Sequence, residues 1–541
     1  MRPEKWIVWE PFLLALMVTA GIIIGMRLDN QMAPSKLLAR ANSKTSPLAP
    51  VKDAIKYIES RYIEAIDAQT VNDTLLKSLV SQLDPHTYYL SGWHYHSFKH
   101  QMSGSYNGIG IDYEVLDDSL TILHALRGGP AHKAGLRTGD IIMSIDSIQV
   151  TGSNLSSGEV YRIWQSRDRE LSLQVKRASK ETFEVSIEKA TIEIPHIPAA
   201  FMIDSVTGFI KIASFTNSTY REFMKELDAL VNGGCKNLII DVRDNPGGSF
   251  ESVVDILNQL VPERDRLMVY MEGQHVRRTE FRSKGNAYFT FDHIIVLINQ
   301  NSISGSEILA GVMQDLDRGI VIGRRSYGKA LVQETFPLTD TTALNLTIGK
   351  YFLPSGRFIQ RPFSDRKSYA LEWESRGASG EFFFPDSLPY GFSDTSNPSD
   401  HGRSLPSGVG IIPDIFIPAD SLHFSLQWKT AKQIVWKYAL KQYGKNLQSI
   451  PDNLEELMAY KERSGISEAL FEHLKDHPSM EASFVEKNQA DLNHLFWSEW
   501  IEFKLGNNEY YRFFSAVDPD IQAALRYIRK SNSEKLTEDQ L

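Results

Sequence analysis

The chain has 541 residues and one cysteine, Cys235. No intrachain disulfide is therefore possible, and Cys-rich zinc patterns are excluded. Cys235 precedes the apolar run KNLII, where a thiol acts as a small buried hydrophobe. A long basic run is also missing, and with a net charge of -9 the chain is not expected to bind nucleic acid. There is no repeat of solenoid period. What is present is ordinary globular composition, 42% apolar, 23% charged and 11% aromatic, over a length that calls for about two to four domains. One long apolar run stands out. Trp6–Met26 is broken only by Glu10 and Thr19, and its charge-free part, Pro11–Met26, ends at Arg27. This is roughly the 20 residues a membrane-spanning helix needs. Arg2 and Lys5 precede it, which favours a cytoplasmic N-terminus, and the only A-x-A-like site, Ala39-Arg40-Ala41, lies far beyond it. The expectation is a retained single-pass anchor over residues 1–27 in the cell membrane, with the rest on the periplasmic or extracytoplasmic side.

A Pro- and Ser-containing linker (28–47) leads to a helical region (48–103), in which the helical period of Val51–Leu83 stops at Asp84-Pro85 of LDPHTYYL. From 104 to 189 the runs GIGIDYEV, LTILHAL, DIIMSIDSIQV, LSLQVKR and TFEVSIE alternate with Gly, Asp and Ser and read as a small β-rich module with a short helix at Pro130–Gly135. Residues 190–360 then repeat a strand-loop-helix unit, first KNLIIDVRDNPGG with SFESVVDILNQLV and then HIIVLIN with NSISGSEILAG. Such units imply a mostly parallel sheet flanked by helices, with ligands bound at the C-terminal strand ends. Residues 361–407, rich in Pro, Ser, Gly and Asp, carry no sustained period and read as an insertion. The α/β part resumes over 408–421 with GIIPDIFIP, and 422–541 is helical.

Ser306 falls between a strand and a helix whose apolar face is Ile308, Leu309, Val312, Met313 and Leu316. At a helix start the free N–H groups and the macrodipole stabilise a developing negative oxygen, which suits a nucleophile; the same place suits an ordinary N-cap. A nucleophilic serine needs a base. No GxSxG elbow surrounds it, and the nearest histidines, His275 and His293, lie in no motif. Lys329, in GRRSYGKALVQETF, has compact or apolar neighbours. An unperturbed lysine is neutral in only about one molecule in 2,500 at pH 7, so burial must lower its pKa. Gln333 lies four residues on, where strand or helix alike places it on the same side, and its carboxamide oxygen can orient the amine without adding charge. Gly247 and Gly248 offer N–H groups that no Cβ shields, and Glu307 follows the serine; together they suggest an oxyanion hole. In the β-rich module, GIGI (Gly108, Ile109, Gly110, Ile111) followed by GPAHKAGLRTGDII resembles a groove that captures a peptide C-terminus.

These stretches, with DVRDNPGG and YFLPSGRFIQ, occur in the order found in the C-terminal processing peptidases, or tail-specific proteases, and the chain is similar to that family over about residues 50–361 and 408–418. The resemblance implies an α/β crotonase-like serine protease domain with an embedded β-rich PDZ domain (104–189), flanked by helical regions and preceded by the transmembrane helix. It implies Ser306 as nucleophile, Lys329 as general base, Gln333 as its orienter, Gly247 and Glu307 as oxyanion amides, and Gly108–Ile111 as the site for the substrate's terminal carboxylate. Neither cofactor nor metal is implied; the partners would be protein or peptide substrates with free C-termini. Gly305 and Ala330 depart from the family's usual Ala and Gly, and the insertion suggests a lid or docking surface. For the helical C-terminal region, homo-oligomerisation, access control and packing all remain open. Two other readings stand beside this one: a non-catalytic module that tethers C-termini or apolar ligands, which would not need Ser306, Lys329 and Gln333 together, and an acyl-transferring or ester-hydrolysing enzyme, which would not need GIGI.

Overall fold

The computed structural model describes residue 17 and residues 49–538 except 117, 153–159, 161–162, 165–168, 178–181, 364, 390–395 and 448. The expected anchor and linker lie outside the described residues but for Met17. Among the described residues no helix is long and apolar enough to cross a membrane. The chain divides into two compact units, Met1–Leu79 and Val80–Leu541. In the first, the helix Ala49–Arg61 buries no side chain, and it is separated from the helix that begins at Ala68.

The second unit contains both expected β-bearing modules. Residues 105–193 leave and rejoin the body through a two-stranded ribbon, Ser105–Gly108 against Ala190–Glu193. Between them lies an antiparallel sheet ordered Ile111–Leu116, Ser119–Ala125, Ile141–Ile145, Glu170–Lys176 and Phe183–Glu188, with Ile148–Gln149 paired to the third strand. Alternation puts Leu171, Leu173 and Val175 inward and leaves Glu170, Gln174 and Lys176 in water.

The α/β body is built on a six-stranded sheet ordered Ala199–Met202, Thr207–Lys211, Asn237–Asp241, His293–Ile298, Ile320–Gly323 and Ile415–Phe416, parallel after the first pair. Its central strands are apolar on both faces, as buried parallel strands must be. One face, through Ile210, Leu238, Ile240, Ile294 and Val296, packs on the helices Thr219–Asn232, Phe250–Leu260 and Gly305–Asp315. The other, through Phe209, Ile239, Ile295, Leu297 and Ile322, packs on Ile521, Ala524, Leu525 and Ile528 of the last helix, Pro519–Glu538. A second sheet holds Tyr88–Ser91, Thr342–Phe352, Arg264–Glu272 and Thr279–Lys284, with Leu331–Thr339 on the other edge of Thr342–Phe352.

Residues 422–541 are helical and pack in two ways: Leu426–Leu505 contributes to a helical bundle with its own core around Trp497 and Trp500, and the final helix covers a face of the six-stranded sheet. Within 361–407 a helix runs from Arg366 to Ala378, and its buried residues are Tyr369 and Arg376. An inward face made of a tyrosine and an arginine leaves no apolar period to detect.

Candidate active site

The loop after His293–Ile298 carries Ser304 with a positive φ of 56°, and the helix Gly305–Asp315 begins directly after it. Ser304 is the cap, so Ser306 sits inside the first turn. Gly305 stands where a Cβ would lie 3.0 Å from Val253 and 3.2 Å from Phe215, and this crowding favours glycine at the position before the serine. Ser306 is fully buried, and its hydroxyl donates to the Asn245 carbonyl at 2.9 Å.

Lys329 precedes the strand Leu331–Thr339, so Gln333 lies on that strand. The Lys329 amine donates to Gln333 Oε1 at 2.7 Å, and the Gln333 amide donates in turn to the His86 carbonyl. Burial lowers the Lys329 pKa, while the carboxylates of Glu307 and Asp84 push it back up. In this conformation the serine and the lysine therefore have separate partners.

Glu307 joins the two. Its carboxylate is wholly buried and accepts from Ser326 Oγ at 2.5 Å, Gly328 N at 2.6 Å, Lys329 N at 2.8 Å and Ser304 N at 2.8 Å. One side chain from the turn of Ser306 thus fixes the loop that carries Lys329. Burial raises the Glu307 pKa against the pull of these four donors. The Tyr351 hydroxyl adds a bond to the Lys329 carbonyl at 2.5 Å and to that of Ser304 at 3.2 Å.

The amides suggested for an oxyanion hole are engaged here. Gly247 N donates to Asn245 Oδ1 at 2.8 Å, a turn in which the asparagine side chain mimics backbone. Glu307 N donates to the Ser304 carbonyl at 2.9 Å. Gly247 and Gly248 have φ of 92° and 135°, and a Cβ on Gly248 would fall 1.8 Å from the Phe215 carbonyl oxygen. Both glycines are thus conformational requirements.

In the β-rich module, Gly108 ends its strand opposite Ala190 and Gly110 has a φ of 76°. Ile109 and Ile111 are buried members of that module's core. The strand Ile111–Leu116 is the terminal strand of its sheet. Among the described residues no group of His, Cys, Asp and Glu is arranged to hold a metal. His293 is engaged elsewhere, bonding Asn532 at 3.0 Å.

Several site residues escaped the sequence reading. Asp84 accepts from His86 N, Thr87 N, Thr87 Oγ1 and Thr347 Oγ1, shaping the turn whose carbonyl holds Gln333. His86 Nε2 meets the Tyr369 hydroxyl at 2.8 Å, and burial, with Lys329 beside it, lowers its pKa to about 4. The signal was the motif LDPHTYYL, in which a helix-stopping Asp-Pro precedes a histidine. Asn245, between Asp244 and Pro246, was likewise visible only as part of a turn.

Comparison with known proteins gives two family matches: peptidase family S41 over residues 206–363 and the PDZ domain over 107–188. The carboxy-terminal processing protease CtpB of Bacillus subtilis is 28% identical over 357 residues, 63% of this chain and 72% of that protein. CtpA of the same organism is 27% identical over 353 residues, 64% of this chain and 74% of that protein. Among solved structures, the photosystem II D1 C-terminal processing protease aligns at 20% identity with a TM-score of 0.36, covering 72% of this chain and 93% of that one.

Proposed function

The chain belongs to the carboxy-terminal processing proteases of peptidase family S41 and is a serine-type peptidase, and on that premise we propose a membrane-anchored endopeptidase that cleaves exported proteins near their C-termini with Ser306, Lys329 and Gln333. The observation that carries the reading is the Lys329 amine, desolvated and directed by Gln333 at 2.7 Å. In the proposed reaction neutral Lys329 takes the Ser306 proton as Oγ attacks the scissile carbonyl. The ammonium then protonates the departing amine, leaving an acyl ester on Ser306. Lys329 next removes a proton from water, which attacks the ester and frees the new C-terminus as the ammonium returns that proton to the departing Ser306 Oγ. Ser306 must first leave the Asn245 carbonyl, and Gly247 N and Glu307 N must exchange Asn245 Oδ1 and the Ser304 carbonyl for the oxyanion. The present conformation is therefore a resting one on this reading, and substrate binding would drive the exchange.

The PDZ domain supports recognition of a peptide C-terminus at Gly108–Ile111, beside a terminal strand to which an extended tail adds. The apolar run Trp6–Met26 supports the anchor and an extracytoplasmic active part. The test uses a fragment lacking residues 1–30 and a loosely folded reporter with an apolar tail, followed by mass spectrometry beside Ser306→Ala and Lys329→Ala. Cleavage by the parent alone is expected. Full cleavage by Ser306→Ala sinks the mechanism.

A further inference from the structure

The insertion that interrupts the protease domain reaches both ends of the Lys329–Gln333 pair. From the helix Arg366–Ala378, buried Tyr369 places its hydroxyl against His86 Nε2 at 2.8 Å and accepts from Gln360 Nε2 at 3.2 Å. His86 supplies the carbonyl that takes the Gln333 amide, and Gln360 Oε1 accepts from Ala330 N at 2.9 Å. One hydroxyl therefore supports the partner of Gln333 on one side and the residue after Lys329 on the other. At the root of the lysine loop, Arg376 donates to the carbonyls of Ser326 at 3.0 Å and Arg325 at 2.7 Å. It is held in place by Glu381, which also pairs with Arg325 at 2.8 Å. Arg361 lies between the rings of Tyr327 and Tyr369, at 4.1 and 3.7 Å, and pairs with Glu372.

These contacts do not describe a lid. A lid hangs free when open, whereas Arg376 and Glu381 are almost wholly buried, and their bonds to backbone carbonyls resist displacement.

We infer that the insertion is a brace for the catalytic lysine, with Tyr369 and Arg376 as positioning residues that act through His86, Gln333 and the backbone before Lys329. The inference rests on the proposed role of Lys329 as base. A lysine that must be both desolvated and aimed loses on both counts when its supports loosen, because water enters and its amine wanders. The charged groups acting on it are Glu307 and Asp84, and neither is altered by changing Tyr369.

The test is the pH profile of kcat and KM for the full chain carrying Tyr369→Phe, which removes one hydroxyl and keeps the ring. Arg376→Lys, which keeps the charge and loses the two-carbonyl fork, is the second variant, and Glu374→Gln on the exposed side of the same helix is the control. For Tyr369→Phe we expect kcat to fall about tenfold with KM nearly unchanged, and the acid limb of kcat to move up by about one pH unit. Arg376→Lys should shift in the same sense and Glu374→Gln should match the parent. A parental kcat and acid limb in both Tyr369→Phe and Arg376→Lys, even with a lowered melting temperature, overturns the brace. Lys329→Ala run in parallel separates the two ideas: if it stays active the lysine assignment has failed, and if it is dead while Tyr369→Phe and Arg376→Lys are both normal only the brace has.

Discussion

Replacing Glu307 by glutamine tests whether its side chain couples the Ser306 turn to the Lys329 loop. The carboxylate takes four donors, two on each oxygen. Glutamine keeps one oxygen, and its amide will turn toward Ser326 and Gly328, because the Ser326 hydroxyl can reverse its bond while the amides of Ser304 and Lys329 cannot. One buried N–H, that of Gly328, is then orphaned, which costs about 1–3 kcal/mol. The two surviving bonds also lose their charge assistance, together about 1–2 kcal/mol. Relief from burying a carboxylate returns part of this, so the net loss is about 3 kcal/mol. For a protease domain of this size that corresponds to a melting shift of about 6–12 °C. The assay is differential scanning calorimetry, which resolves separate transitions where a chain has several domains, with kcat measured on the same preparation. A transition within about 2 °C of the parent with unchanged kcat would falsify the coupling role, since that loss is far below one orphaned amide.

Other perturbations follow from single contacts. Because burial depresses the Lys329 pKa below its usual 10.5, kcat/KM should rise with pH and level off below that value. The same shift makes Lys329 contribute stability that is fully present above the unfolded pKa and lost as pH falls through the folded one; a pH-rate profile that climbs unchecked past 10.5 contradicts it. Gly248→Ala puts a methyl 1.8 Å from the Phe215 carbonyl at a φ of 135°; it should abolish cleavage and destabilise by at least about 3 kcal/mol, and ordinary activity would contradict the glycine requirement of this loop. Arg243 bonds the carboxylates of Asp241, Asp518 and Asp520 at 2.7 to 2.8 Å. Arg243→Met should cost about 3–5 kcal/mol and expose the final helix to limited proteolysis, and an unchanged digestion pattern would count against its latching role.

Much of this was legible because the signals were local. Period-2 alternation marked the strands of the β-rich module, and doubly apolar runs such as KNLII and HIIVLI marked the central sheet. Lys329, two residues before a strand, and Gln333, on that strand, meet through their side chains at 2.7 Å. What stayed hidden depended on partners distant in sequence. His86 and Gln333 are 247 residues apart, and no spacing rule connects a backbone carbonyl to an amide across that interval. The insertion helix escaped because Tyr369 and Arg376, its inward residues, are paired by rings and carbonyls rather than by an apolar stripe.

The last helix shows why the C-terminal region belongs in any account of the site. A parallel sheet with apolar side chains on both faces has to be covered twice, and the three helices of the strand-loop-helix part all lie on one side. The second cover is supplied only after the bundle around Trp497 and Trp500 has been traversed. It is locked at its start, where Asp518 and Asp520 meet Arg243. Arg243 lies in the same DVRDNPGG stretch as Asn245, whose carbonyl holds the Ser306 hydroxyl and whose side chain holds the Gly247 amide. Lys211, Arg243 and Arg324 face Asp241, Asp518 and Asp520, three cations against three anions. Removing the final helix would therefore strip an apolar face and leave Arg243 and Arg324 short of carboxylates in one step. A chain truncated before Asp518 should lose activity through the Asn245 loop even where the PDZ domain still binds a tail, and full peptidase activity in such a truncation would show that the loop holds its shape without the latch.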